Sequence, residues 1–307
     1  MSTMAIITPS YSPDVENFSR LHASVLEHTD ESVMHHVIVP GIDADLFRDT
    51  GGPRLTVWTH GSVMPEGLVA TERLAVATRK VPQWPSSVNV AAVERRQPWR
   101  PVRGWILQQL LKMVMARHVN ADLLVSIDSD VVLVRRMAAE SFLEGGAVRL
   151  YADEGAITKA MERHYEWCRV AHEMLGLPWE ALTSYPDFIA GLVSWDPLLL
   201  RRCQDRVEHV TGRPWAVAAS RNLHFSEDIL YGTFVQHFGT ELERSNQRDT
   251  TRCHSYWSPT PMRSSEAEAF VAAFSDDHLA VHIQSNSRTH GGIENAVLDQ
   301  LKGKALS

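Results

Sequence analysis

Apolar and polar residues follow one another along the first half of the chain in short blocks whose periods differ. Residues 4–8 form a β-branched apolar run that stops at Pro9, which predicts a strand running into a loop. Phe18, Leu21, Val25 and Leu26 recur at helical spacing, so 15–27 reads as an amphipathic helix. Residues 36–39, closed by Pro40-Gly41, and 55–59, closed by His60-Gly61, read as a second and a third strand. Strand, helix and strand at this spacing predict an open α/β sheet wound right-handedly. The stretch 81–101, with four prolines and with Trp84 and Trp99, reads as a long functional loop. A helix is expected over 104–118, with Leu107, Leu110, Leu111 and Val114 as its buried stripe and Trp105, Gln108, Gln109 and Lys112 on another face. The run ADLLVSIDSDVVLV over 121–134 reads as a central parallel strand covered on both faces.

Beyond Arg136 the pattern loosens. Strands are expected at 147–152, 188–195 and 278–283, and helices at 160–175, after Asp196-Pro197, and at 229–237. No linker divides the chain. The reading is a single α/β domain over 1–255, made of halves 1–135 and 136–255, with a C-terminal tail, 256–307, that folds back over the site.

Composition narrows the class. In 307 residues, 44% hydrophobic and 22% charged, the balance is that of a soluble globular protein. Net charge is −7, with 30 Lys and Arg against 37 Asp and Glu, which argues against a nucleic-acid polymer as partner. Fifteen histidines predict altered behaviour below about pH 6. Cys168, Cys203 and Cys253 form no CxxC pair and read as buried reduced thiols. No basic, apolar leader and no apolar run long enough for a transmembrane helix is visible, so a cytoplasmic location is expected.

Asp128-Ser129-Asp130 is the sharpest chemical feature. On an extended chain residues two apart point the same way, so both carboxylates are expected to project together from the end of the sheet. Ligands of open α/β sheets gather at that end, and a divalent cation with oxygen ligands relieves the repulsion between the two acids. Ser226-Glu227-Asp228 is a second acidic group, which a helix start alone would also explain.

The stretch 103–134, RGWILQQLLKM followed by SIDSDVVLV, resembles nucleotide-sugar-dependent glycosyltransferases of the GT-A fold. More closely it resembles a group of bacterial glycosyltransferase-like proteins in which a GW-QQ-LK helix precedes the DxD strand. The likeness extends loosely from Ile6 to about Thr289. It implies an open mixed sheet flanked by helices and a nucleoside diphosphate sugar as donor. A small-molecule or glycan acceptor and Mn²⁺ or Mg²⁺ complete that expectation. By this resemblance Thr8, Pro9, Ser10 and Tyr11 match the loop that cups the nucleoside, and Arg103 and Lys112 lie near the diphosphate. Gln108 faces sugar hydroxyls, Asp128 with Ser129 faces the ribose, and Asp130, with Asp128 as a second carboxylate, binds the metal. Asp187 and Gly191 match a segment lining the sugar side, although relatives carry Asn or Ser where this chain has Ile189 and Ala190. Glu227, with Asp228 second, matches the catalytic base of inverting enzymes. His282 is the candidate third metal ligand, with His290 as its competitor, and Gln284, Ser285 and Arg288 match a tail that closes on phosphate.

Three other readings share parts of this pattern. A haloacid dehalogenase-type phosphatase also has a DxDxV motif after an apolar strand, and here Asp276-Asp277 would have to complete its metal site. A nucleotidyltransferase needs a Gly-rich basic loop that TPSYSPD lacks. A non-catalytic sugar-nucleotide or carbohydrate-binding protein would keep Asp128 and Asp130 without turnover.

Overall fold

The apolar runs pair into a five-stranded central sheet in the order Leu192–Trp195, Leu123–Ile127, Met4–Pro9, Met34–Val39, Leu55–Thr59. The first pair is antiparallel and the rest are parallel, giving one mixed α/β domain with helices flanking the sheet. This is a computed structural model, and it describes residues 2–72 and 90–306. Trp84 and the part of 81–101 before residue 90 lie outside the described residues.

The strand order has a direct consequence. From Met4–Pro9 the chain moves outward through Met34–Val39 to Leu55–Thr59, then returns to the other side of Met4–Pro9 as Leu123–Ile127. That reversal makes a crevice beyond the carboxyl ends of two adjacent parallel strands, where open α/β sheets bind ligands. Helix Gly104–Val114 packs Ile106, Leu107, Leu110 and Leu111 with Ile7 and Leu124 of the sheet, in one buried cluster. Its other face, with Trp105, Gln108, Gln109 and Lys112, borders the crevice.

Several sequence expectations change. The 121–134 run is not one strand: Leu123–Ile127 ends at Asp128, the backbone turns, and Val131–Leu133 enters a second sheet. There it pairs antiparallel with Ala280–Ile283, which pairs parallel with Cys253–Tyr256. The strand expected at 188–195 forms only over Leu192–Trp195; Ser184–Asp187 is a separate strand before it, and Ile189 and Ala190 between them line the crevice. The stretch 90–101, expected as loop, is instead a hairpin of Val90–Glu94 and Gln97–Arg103, joined to Leu68–Ala70. The helix after Asp196-Pro197 forms as expected over Pro197–Thr211. Asp196 accepts from the Leu198 and Leu199 amides, and Gly212 closes the helix at φ +64°. All three cysteines are free and buried. Among the described residues no helix is long and apolar enough to cross a membrane.

Candidate active site

The crevice holds a cavity of about 670 Å³, which Pro9 and Asp128–Asp130 enter from the two strand ends. Helix Gly104–Val114 lines one wall, the start of helix Glu227–Phe238 another, and the segment after Ala280–Ile283 a third.

Among the described residues that line the cavity, Lys112 is the one Lys or Arg. Its Nζ lies 2.9 Å from Glu227 Oε1 and 3.2 Å from Asp128 Oδ1. Burial alone would lower the Lys112 pKa, but Asp128, Glu227 and Asp228 outweigh it and raise it, so the ammonium stays charged. Helix Glu227–Phe238 is held by two caps: Ser226 Oγ accepts from the Ile229 amide at 3.4 Å and Gln109 Oε1 accepts from the Glu227 amide at 3.0 Å. Those bonds place Glu227 and Asp228 side by side in the first turn, both buried. Asp228 Oδ1 has no hydrogen-bond partner. Burial, then the Glu227 charge, push Asp228 well above the usual carboxylate range.

Asp128 and Asp130 do not point the same way, which corrects the expectation of parallel carboxylates. The strand has already ended, and the Val131 amide donates to the Asp128 carbonyl at 3.2 Å to close a turn. Asp128 therefore meets Lys112, while Asp130 meets the tail: Oδ1 lies 3.3 Å from His282 Nε2 and Oδ2 accepts from the Ser285 amide at 2.8 Å. Burial acts to raise the Asp130 pKa, but these contacts outweigh it and hold it below the usual value. His282 is 2% exposed, packs edge-on against Trp257 at 4.5 Å, and leaves Nδ1 without a partner. Gly191 makes room for it, since a Cβ there would stand 3.1 Å from the imidazole ring. Among the described residues no group of three or more His, Cys, Asp and Glu is gathered as a metal cluster.

A family model matches residues 3–303, that of a family of unknown function, DUF6492. The chain belongs to the DUF6492 family. Among curated proteins nothing matches it. Solved structures similar to this DUF6492 chain include the bifunctional glycosyltransferase WbbM in its apo form. It is 11% identical with a TM-score of 0.47 over 92% of this chain, which spans 45% of WbbM. Mouse xyloside xylosyltransferase 1 in its apo form is 12% identical, TM-score 0.46, over 92% of this chain and 98% of that one. The galactosyltransferase LgtC, in complex with donor and acceptor sugar analogs, is 15% identical, TM-score 0.44, over 98% and 96%.

The structure brings Pro9, Gln108, Lys112, Asp128, Ser129, Asp130, Asp187, Glu227, Asp228, His282 and Gln284 to the cavity wall. It does not bring all the others there. Thr8 is fully buried and its hydroxyl bonds His35 Nε2 at 3.0 Å, and Ser10 is buried beneath the wall. Tyr11 and Gly191 are not among the lining residues, and Arg103 borders a separate depression beside Trp99. Gln284 is turned to its own segment, with Nε2 donating to the carbonyls of Trp257 and Ser258 at 2.6 and 2.7 Å. His290 is exposed and its Nδ1 accepts from the Gly292 amide, so His282 is the tail histidine that reaches the cavity.

Some wall residues escaped sequence reading. Asp14 lines the cavity, its pKa raised by burial and then by Asp130. Trp105 stacks on Trp167 at 5.5 Å, with Arg163 over both rings and His164 against Trp167 at 4.4 Å. The helical period of 160–175 puts Trp167 on a buried face, a signal that marks core and cavity wall alike. Asp187 accepts from the Ile189 amide at 2.9 Å, which shapes the segment whose Ile189 and Ala190 line the cavity.

Proposed function

We propose that this protein is a glycosyltransferase that moves a sugar from a nucleoside diphosphate donor to an acceptor hydroxyl or amine. The observation that carries the reading is the cavity at the strand-order reversal, whose wall brings together the Asp130–His282 pair, Lys112 bound to Asp128 and Glu227, and the Glu227–Asp228 pair. A nucleotide-binding half over 1–135, an acceptor half over 136–255 and a closing tail over 256–307 follow from this reading.

Asp130 and His282 fit a divalent cation by their donor set, a carboxylate oxygen beside a buried imidazole, with Asp128 two residues away. A mixed oxygen and nitrogen set suits Mn²⁺ better than Mg²⁺. When bound, such an ion would neutralise the diphosphate of the donor. The remaining work falls to the chain itself. Lys112 supplies a fixed positive charge where the leaving group gains negative charge. Glu227 and Asp128 hold that ammonium in place. Asp228, which lines the cavity and is not tied to the ammonium as Glu227 is, is better placed than Glu227 to take the acceptor proton, which reverses the order expected from sequence. Trp105 offers an exposed aromatic edge for a sugar ring.

The phosphatase alternative is not favoured. Asp276 is fully exposed and paired with Arg135 at 3.1 Å, and Asp277 is paired with Arg252 at 3.2 Å, so neither is among the cavity-lining residues. A calorimetric screen of nucleoside diphosphates and their sugars, with and without Mn²⁺, tests the proposal. Binding of one nucleotide that needs both the metal and Asp130 supports it. Absence of binding by every nucleotide under every metal condition overturns it.

A further inference from the structure

The three-stranded sheet of Leu68–Ala70, Val90–Glu94 and Gln97–Arg103 has two unlike faces. Ala92 and Val102 are buried in the cluster that holds Ile106 and Leu107. On the opposite face Val69, Val93 and Pro101 form one cross-strand row, with Val69 and Pro101 exposed and Val93 half-buried. Beside it Trp99 is 73% exposed, and it shares with Leu223 a depression of about 290 Å³ rimmed by arginines. Apolar surface of this kind marks a site of association.

Its charge names the partner. Arg95, Arg96, Arg100 and Arg103 are all exposed, and none has an ion-pair partner among the described residues. Glu94, the single acid of the hairpin, is buried and bound through both oxygens to Arg221 at 2.8 and 2.9 Å, so it does not neutralise them. A chain of net −7 thus carries, on the hairpin that presents Trp99, four exposed arginines without an ion-pair partner among the described residues.

We propose that this hairpin face docks the protein on an anionic lipid membrane. A tryptophan with an apolar body and a polar N–H settles at the headgroup level, and arginines are drawn to anionic lipids over about a Debye length. The attraction is local, which is how an acidic chain approaches an acidic surface. Gln97–Arg103 runs directly into helix Gly104–Val114, so docking holds the cavity wall formed by Trp105, Gln108 and Lys112 close to the bilayer. The inference does not depend on the glycosyl-transfer reading.

Sedimentation with vesicles tests it, using phosphatidylcholine alone and phosphatidylcholine mixed with phosphatidylglycerol. The native protein is expected to sediment with the anionic vesicles only and to be released by high salt. The double variant Arg95→Glu/Arg96→Glu lowers binding at least about tenfold, and Trp99→Ser lowers it at low and high lipid alike. Unchanged melting temperatures show that these exposed substitutions leave the fold intact, and Arg100→Glu serves as an independent repeat. Failure to sediment with anionic vesicles overturns the proposal. So does equal binding by all folded variants, or capture by a soluble polyanion such as heparin with none by vesicles.

Discussion

The two acidic pairs that meet at Lys112 are built in opposite ways. Asp128 and Asp130 leave a strand end through a turn, diverge, and each finds a partner of its own: Lys112 for one, His282 and the Ser285 amide for the other. Glu227 and Asp228 are neighbours in the first turn of one helix and have a single ammonium within reach. Glu227 takes it, and Asp228 Oδ1 is left buried without a partner. Their acidities separate accordingly. Asp130 is held low against its burial, and Asp228 is driven high by burial and by Glu227. A satisfied carboxylate is suited to holding a charge, and an unsatisfied one to accepting a proton.

The largest effect that would break this comparison is on transfer. Asp228→Asn is expected to lower the transfer rate by about 10²–10⁴-fold, the range for loss of a general base. A variant that retains native turnover would remove Asp228 from the chemistry. Next comes Lys112→Met, which leaves Asp128, Glu227 and Asp228 facing one another without a cation. Loss of one partner from a buried ionic group costs about 3–5 kcal/mol, read as a lower urea midpoint. A midpoint equal to the native one would mean that the carboxylates relax to other partners.

The histidines provide the contrast outside the cavity. Burial first, then the neighbouring histidines His22 and His36, which disfavour a further proton, hold His35 well below its ordinary value, and burial lowers His36 and His60 to about 4. These groups are neutral in the fold and take up protons on unfolding. Their contribution is therefore complete above about pH 6.5 and is lost as pH falls toward 4. A melting temperature that falls steadily across that window is expected, and a flat profile would contradict it. The smallest effect has the opposite sign. Because the folded-state pKa of Asp228 is raised, its ionised form weakens the fold as pH rises. Asp228→Asn should stabilise the protein at pH 8 by about 1–3 kcal/mol, with the gain disappearing toward pH 4. A variant less stable than native at pH 8 would show that Asp228 is structurally satisfied.

The first three sheet strands were legible because each is a compact apolar run closed by Pro or Gly, and the helix expected at 104–118 because its stripe is clean, although it ends at Val114 and passes into a 3-10 turn over Met115–Arg117. The acids were legible as residues but not as directions. Whether Asp128 and Asp130 stay parallel depends on where the strand stops, and that is decided by Val131–Leu133 pairing with Ala280–Ile283 far downstream. Nothing local to Gln109 signals that it caps the helix at Glu227, since helix-surface glutamines and buried caps read alike. Thr8 looked like a ligand-facing loop residue, yet it lies inside the sheet opposite Val37, with its hydroxyl bonded to the His35 side chain of the same neighbouring strand. The arginine hairpin was read as loop because its prolines hide the alternation. Pro98 and Pro101 sit on the Gln97–Arg103 strand, which is paired on one side by Val90–Glu94.

The claim that one acidic pair holds charge and the other moves a proton is tested most directly by comparing nucleoside diphosphate affinity in Asp130→Ala and Asp228→Asn, with Mn²⁺ present. Loss of binding in Asp130→Ala with near-native affinity in Asp228→Asn is the predicted result. Equal loss in both variants, or loss in Asp228→Asn alone, would contradict it.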